Sequence, residues 1–183
     1  HSPDGRVKKE TTMLKIRTAR AEDAALLNEM GNASYRHHFA HLWHNADELA
    51  CYLQQEYSLA SLQRSLTDSQ CCWLIAEAPH PVGFAKYACR QAISPEGPSG
   101  TLLHKLYLLP DTTGRRYGEQ IFRAVEARAK AAGERWLWLE VLADNPAARR
   151  FYERQGMQHV KDVAFHSASQ QSTLHIPVSY THL

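Results

Sequence analysis

The chain has 183 residues, enough for one domain with its own core, and 44% of them are hydrophobic, so it is expected to fold. Twenty-one Lys and Arg against 19 Asp and Glu leave a net charge of +2, which excludes the large basic excess of a nucleic-acid binder. No apolar run reaches membrane-spanning length, and the four cysteines (Cys51, Cys71, Cys72, Cys89) lack CxxC spacing, so a reduced, cytoplasmic protein is expected.

Residues 1–12, HSPDGRVKKETT, are polar and unpatterned and read as a disordered extension before Met13. Leu14–Ala19 alternates as a first strand. EDAALLNEMGNASYRHHFAHL has helical apolar spacing, and NADELACYLQQEYSLASLQRSL reads as one or two further helices. Cys71–Ala78 is a buried-type strand, His80-Pro81 turns it, and Val82–Arg90 returns as its hairpin partner. After the loop ISPEGPSG, Thr101–Leu109 is a long strand stopped by Pro110. Glu119–Ala132 is a helix, with Ile121, Val125 and Ala129 spaced by four and Gly133 ending it. Trp136–Leu142 is another buried strand, Met157–His166 a further one, and Ser172–Ile176 a candidate last one. The final PVSYTHL resembles translated sequencing-adapter read-through and is set aside as a tail, with a genuine terminal strand as the alternative. The elements predict a single mixed α/β (α+β) domain over residues 13–176, with one strand–helix–strand crossover between Leu102 and Leu142.

Two stretches carry candidate chemistry. In DNPAARRFYERQG, Asn145 can cap a helix, Pro146 suits its first position, and Gly156 can take the left-handed turn past its end. Ala148, Phe151, Tyr152 and Gln155 share one face, which by spacing alone is a core face. The other stretch is the turn Thr113-Gly114-Arg115-Arg116-Tyr117-Gly118, between a strand and a helix. Free N–H groups at the helix start, two glycines and two arginines suit a phosphate, though an ordinary βα turn reads the same way. It is neither a P-loop nor a dinucleotide fingerprint.

Together, LHKLYLLPDTTGRRYGEQIF, a helix and WLWLEVLADNPAARRFYERQGM resemble the GCN5-related N-acetyltransferases (GNAT). The earlier half, from SYRHHFAHLWH through PVGFAKY, is similar to the bacterial spermidine/spermine branch. The resemblance covers roughly Leu14 to Phe165. It implies the GNAT fold, a mixed and mostly antiparallel sheet with helices on both faces. It implies acetyl-CoA as cosubstrate and acetyl transfer to a primary amine by direct attack in a ternary complex. The favoured acceptor is a polyamine-like small molecule; a peptide N-terminus, an amino acid or a non-catalytic acyl-CoA-binding module are the alternatives. No nucleic-acid or membrane partner is expected, and a homodimer is left open.

By the same resemblance, pantetheine bonds backbone groups near Leu108 and Leu109, and the pyrophosphate sits on Thr113 to Gly118. Asn145 contacts the cofactor, and Tyr152 places its hydroxyl near the thioester sulfur as general acid. The turn departs from the family pattern, since Thr113 replaces Gln/Arg and Arg116 replaces a Gly, which strains the chain if that position needs φ > 0. A family Glu early in the strand is matched here by Leu102. For the base, His104, Glu140 or a water chain are candidates. His37, His41 and His44 share a helical face at zinc-binding spacing if the helix continues that far, but no Cys or HExxH supports a metal and none is expected. Asp47, Glu48 and Glu56 lie beyond, as a solvated face or an attraction for a cationic amine.

Overall fold

The computed structural model describes the backbone of residues 13–112, 116–143, 145–166 and 171–180. The expected extension 1–12, the turn residues Thr113–Arg115, Asp144 and the last three residues lie outside it.

The first half is β1 (Lys15–Thr18), α1 (Ala24–Phe39), α2 (Ala46–Tyr57) and α3 (Leu59–Thr67). Then come β2 (Cys71–Glu77), β3 (Pro81–Ala92) and β4 (Ser99–Leu108). The second half is α4 (Tyr117–Ala131), β5 (Trp136–Trp138), β6 (Val141–Leu142), α5 (Pro146–Arg154), β7 (Gln158–His166) and β8 (Gln171–Tyr180). The stretch after Trp43 makes two helices because Ser58 takes extended backbone and caps α3, its hydroxyl accepting from the Ser61 N–H.

The sheet runs β1-β2-β3-β4-β5-β8-β6, with β7 paired to β8. Every described pairing is antiparallel except β4 with β5, the crossover expected around α4. β2 is a continuous apolar run because both its faces are covered. Leu74 and Ala76 face the core that α4 fills with Ile121, Phe122 and Val125. Trp73 and Ile75 face the core that α1–α3 fill with Leu27, Met30, Leu53, Tyr57 and Leu62. Each such fully buried side chain contributes about 1.5–3 kcal/mol. Gly31 is required on α1, since a Cβ there would run into the Tyr57 ring.

Two elements differ from the sequence expectation. Trp136–Leu142 is not one strand: Leu139 and Glu140 leave the ladder between β5 and β6. β8 continues past Ile176 to Tyr180, where Val178, Ser179 and Tyr180 pair with Trp138, Leu137 and Trp136. The strand therefore takes in part of the stretch set aside as a tail.

Candidate active site

The parallel contact between β4 and β5 lasts only two residue pairs, Thr101 with Leu137 and Leu102 with Trp138. Past that point β5 breaks and β4 runs on alone on that side, so the sheet splays. A cavity of about 730 Å³ opens there, bounded by β4, the β5–β6 break, α5 and the C-terminal part of α1. Tyr152, His104, Leu108, Gly118 and Asn145 all line it, although they come from widely separated parts of the chain.

α5 has the predicted ends. Asn145 Oδ1 accepts from the Ala148 N–H at 3.2 Å, Pro146 occupies the first turn, and Gly156 has φ +94°. Phe151 and Tyr152 pack edge-on at 5.0 Å, and both contact Phe122 of α4. The Tyr152 ring packs on the core, and the residue also lines the cavity. Its hydroxyl has no hydrogen-bond partner among the described residues, and burial raises its pKa above the ordinary tyrosine value.

α4 begins at Tyr117, and its first intrahelical bond is the Gln120 N–H to the Arg116 carbonyl, 3.1 Å. The amides of Tyr117, Gly118 and Glu119 are left without helical partners, at the positive end of the helix. Gly118 passes close to α5: a Cβ there would lie 3.4 Å from the Phe151 ring and 3.9 Å from Leu108. Arg116 has φ +59° and ψ +24°, the left-handed conformation that makes an arginine unfavourable where the family has glycine. Its side chain borders a separate shallow cavity with Glu119, Gln120 and Arg123. The Tyr117 side chain is buried in the core, so only its amide is available to a ligand. Thr113, Gly114 and Arg115 lie outside the described residues.

Leu109 does not join the others. Its N–H donates to the Val82 carbonyl at 2.8 Å and its carbonyl accepts from Thr112 Oγ1 at 2.6 Å, so both groups are engaged within the protein. By strand alternation, the backbone groups of Leu108 and Leu106 point away from β3, towards the gap. The Leu108 carbonyl accepts from Ser34 Oγ at 3.1 Å and His38 Nε2–H at 3.0 Å, which ties α1 to the cavity floor. The Leu106 backbone groups and the Leu108 N–H on the β4 edge, the α4 amides that lack helical partners and the side-chain-free Gly118 fit the amide-bearing arm and pyrophosphate of coenzyme A.

His104 lies on the cavity with its ring accessible. Desolvation within the cleft, then the Lys86 and Lys105 ammonium groups, push its pKa down to about 4, with Glu56 opposing. The ring is therefore neutral at physiological pH. Glu140 was expected to be buried in a strand; it is exposed at the β5–β6 break, lines the cavity and has interactions of its own. The histidine face is interrupted, because α1 ends at Phe39 and Ala40–Leu42 form a 3₁₀ turn before His44. Among the described residues no group of three metal-ligating side chains occurs. Asp47 and Glu48 stand in the first turn of α2, their amides donating to the Asn45 cap; Asp47 is exposed, and Glu48 is half-buried with interactions of its own.

Two features were missed in the sequence. Lys105, only 5% exposed, places Nζ 2.6 Å from Glu56 Oε1 and 5.1 Å from the centre of the Tyr57 ring. Burial pushes the Lys105 pKa down against the pull of Glu56. Burial works to raise that of Glu56, but the Lys105 ammonium outweighs it and the net direction is down. The second feature is an aromatic wall formed by Tyr35, Phe39, Trp43, Tyr52 and Tyr107, all lining the cavity. Tyr35 and Phe39 stand at i, i+4, a spacing that could have marked a face. Nothing local announces that Tyr107 and Tyr52 join them.

Among the described residues no helix is long and apolar enough to cross a membrane. A family model described as the acetyltransferase (GNAT) family matches residues 35–157. The structure of the PaiA N-acetyltransferase from Thermoplasma acidophilum in complex with coenzyme A is similar at TM-score 0.71 and 22% identity, covering 90% of this chain and 98% of that one. A probable acetyltransferase from Staphylococcus epidermidis gives 0.71 at 14% identity, with 93% and 100% covered. The ribosomal-protein-S18-alanine N-acetyltransferase from Escherichia coli gives 0.68 at 15% identity, with 93% and 96% covered. At these identities the solved structures establish the fold. No curated protein matches the chain. The family model spans more than half of the sequence and includes β4, α4 and α5, so this chain belongs to the GNAT acetyltransferases and is an acetyl-CoA-dependent N-acetyltransferase.

Proposed function

We propose that the chain acetylates a small primary amine by direct attack within a ternary complex, with Tyr152 as general acid. The observation that carries this reading is the Tyr152 hydroxyl, without a hydrogen-bond partner among the described residues, on the cavity that the β4 edge and the α4 start also border. Acetyl-CoA supplies the acyl group as an activated thioester. The amides of Tyr117, Gly118 and Glu119, with Arg116, bind pyrophosphate; the edge at Leu106 and Leu108 orients the pantetheine arm; Asn145 borders it at the start of α5. Thr113, Gly114 and Arg115 complete the phosphate turn in this proposal.

Tyr152 holds at Oη the proton that the departing sulfur takes. Burial keeps that proton on the phenol at neutral pH, and the same desolvation raises the proton affinity of a thiolate. General acid catalysis of this kind contributes about 10²- to 10⁴-fold. The attacking amine loses a proton, and His104, already neutral, accepts it at a ring nitrogen. With a pKa near 4 it relays that proton to water rather than keeping it. Among the described cavity-lining residues there is no cysteine, serine or threonine, which supports direct transfer over an acyl-enzyme. The four free cysteines support a cytoplasmic location. The polyamine-like acceptor favoured by the sequence meets one carboxylate beside the aromatic wall, Glu56, and Lys105 already holds it.

The test is acetyl-CoA turnover against a panel of primary amines, read by free thiol release. Turnover with at least one small amine is expected. Coenzyme A binding without release for any amine would refute the reading.

A further inference from the structure

The cavity has two chemically different ends. The α5 end presents Leu139, Val141, Asn145, Ala148 and Tyr152, beside the unpaired β4 edge. The other end is the aromatic wall. Trp43 and Tyr52 stand 5.6 Å apart and tilted by 40°. Tyr35 packs at 4.8 Å against both Phe39 and Tyr52, and Tyr107 meets Phe39 edge-on at 5.6 Å. The wall is held in place: Trp43 Nε1–H donates to the Tyr35 hydroxyl at 3.2 Å. Tyr107 joins the two ends, since it lines the cavity and lies within electrostatic reach of Tyr152.

The charges around this wall do not suit a polycation. Glu56 forms a 2.6 Å ion pair with the buried Lys105. Lys86 stands close enough, with Lys105, to disfavour a proton on His104. Glu140 lines the cavity at the β5–β6 break, away from the wall, and has interactions of its own. A second or third ammonium of a polyamine would be desolvated here beside two lysines, and among the described residues no carboxylate lines the aromatic end of the cavity. A flat apolar body would instead bury its area on the rings and leave its single ammonium to reach the other end of the cavity.

We propose that the acceptor is an arylalkyl monoamine, a single primary amine on a short chain carrying an aromatic ring, with the ring on Trp43, Tyr52 and Tyr107 and the amine directed towards Tyr152. This rests on the transfer reading above. In the reaction the amine nitrogen forms the new bond to the acetyl carbon and the carbon–sulfur bond breaks. The ammonium gives up two protons in all, one to solvent through His104 before attack and one as the adduct collapses, and the sulfur takes one from Tyr152, which regains a proton from solvent.

The experiment compares kcat/KM for 2-phenylethylamine, n-butylamine and spermidine, by thiol release at saturating acetyl-CoA. Phenylethylamine is expected to exceed both others at least tenfold. Trp43→Leu should collapse the phenylethylamine-to-butylamine ratio towards one, a ratio that does not depend on how much of the variant is folded. Leu42→Glu, which adds a carboxylate to the same end, should raise spermidine relative to phenylethylamine at least fivefold. Spermidine equal to or better than phenylethylamine in the wild type overturns the proposal, as does an unchanged ratio in Trp43→Leu. Release with spermidine or butylamine but not phenylethylamine refutes the acceptor class and leaves the transfer reading standing. No release with any amine refutes both.

Discussion

Glu56→Gln and Lys105→Met should destabilise the protein by different amounts, although they break the same ion pair. Gln keeps the shape and one oxygen, so Lys105 retains a neutral hydrogen bond and its position over the Tyr57 ring. What it loses is the countercharge of an ammonium that is only 5% exposed. Stranding a fully buried charge typically costs 3–5 kcal/mol. The Glu56 side chain is 34% exposed, so solvent already screens the pair and the figure falls to about 2–3 kcal/mol. Lys105→Met instead leaves the stranded charge on Glu56, which water reaches, and refills the lysine's volume with an apolar chain; about 0–1.5 kcal/mol is expected. In a domain of this size each kcal/mol moves Tm by about 2–4 °C. The pH dependence has a definite sign. Lys105 already has a folded-state pKa below its unfolded value. Removing Glu56 takes it lower, so over the interval between the two pKa values the unfolded state binds the extra proton and stability rises with pH. Urea unfolding at pH 7 and pH 9.5 measures this: the Glu56→Gln deficit should shrink at the higher pH. A Lys105→Met loss exceeding that of Glu56→Gln by 1 kcal/mol or more, or a Glu56→Gln deficit independent of pH, would refute the reasoning.

Arg116→Gly removes a left-handed arginine and should raise stability by about 0.5–1 kcal/mol, the relief of φ +59° less the extra freedom of glycine in the unfolded chain. Coenzyme A affinity in calorimetry should stay within about threefold, because backbone amides hold the phosphate; a tenfold loss would assign that work to the side chain. Gly118→Val places methyl groups beyond a Cβ already 3.4 Å from Phe151, so coenzyme A should bind at least tenfold more weakly with the fold intact by circular dichroism. Unchanged affinity would mean that the cofactor lies elsewhere. As the acceptor amine deprotonates, kcat/KM should rise between pH 6 and 8 in His104→Gln as in the wild type, since a group held near pKa 4 stays neutral across that window. Loss of that rise would show that His104 titrates there.

What was legible in the sequence had local causes. Asn145, Pro146 and Gly156 act within their own helix, so both ends of α5 could be read directly. The strain at Arg116 was readable as a conditional, because a side chain stood where the family has glycine. The break at Leu139–Glu140 was not readable: the apolar residues continue through it, and the divergence of β4 and β5 is a tertiary feature. That the Leu109 N–H turns back to Val82 was not readable either, because which side of β4 a backbone group faces depends on register with β3. The Lys105–Glu56 pair joins residues 49 positions apart, and the aromatic wall draws on α1, the connection at Trp43, α2 and β4. No periodicity carries such information.

Tyr152→Phe tests the central claim most directly. Phenylalanine keeps the contacts with Phe122 and Phe151 and removes only a hydroxyl that has no hydrogen-bond partner among the described residues. If that hydroxyl protonates the leaving sulfur, about 3–5 kcal/mol of transition-state stabilisation is lost. The account predicts a kcat at least about 100-fold lower, with Tm within about 2 °C of wild type and acetyl-CoA affinity within about threefold. A kcat within about threefold of wild type would contradict it.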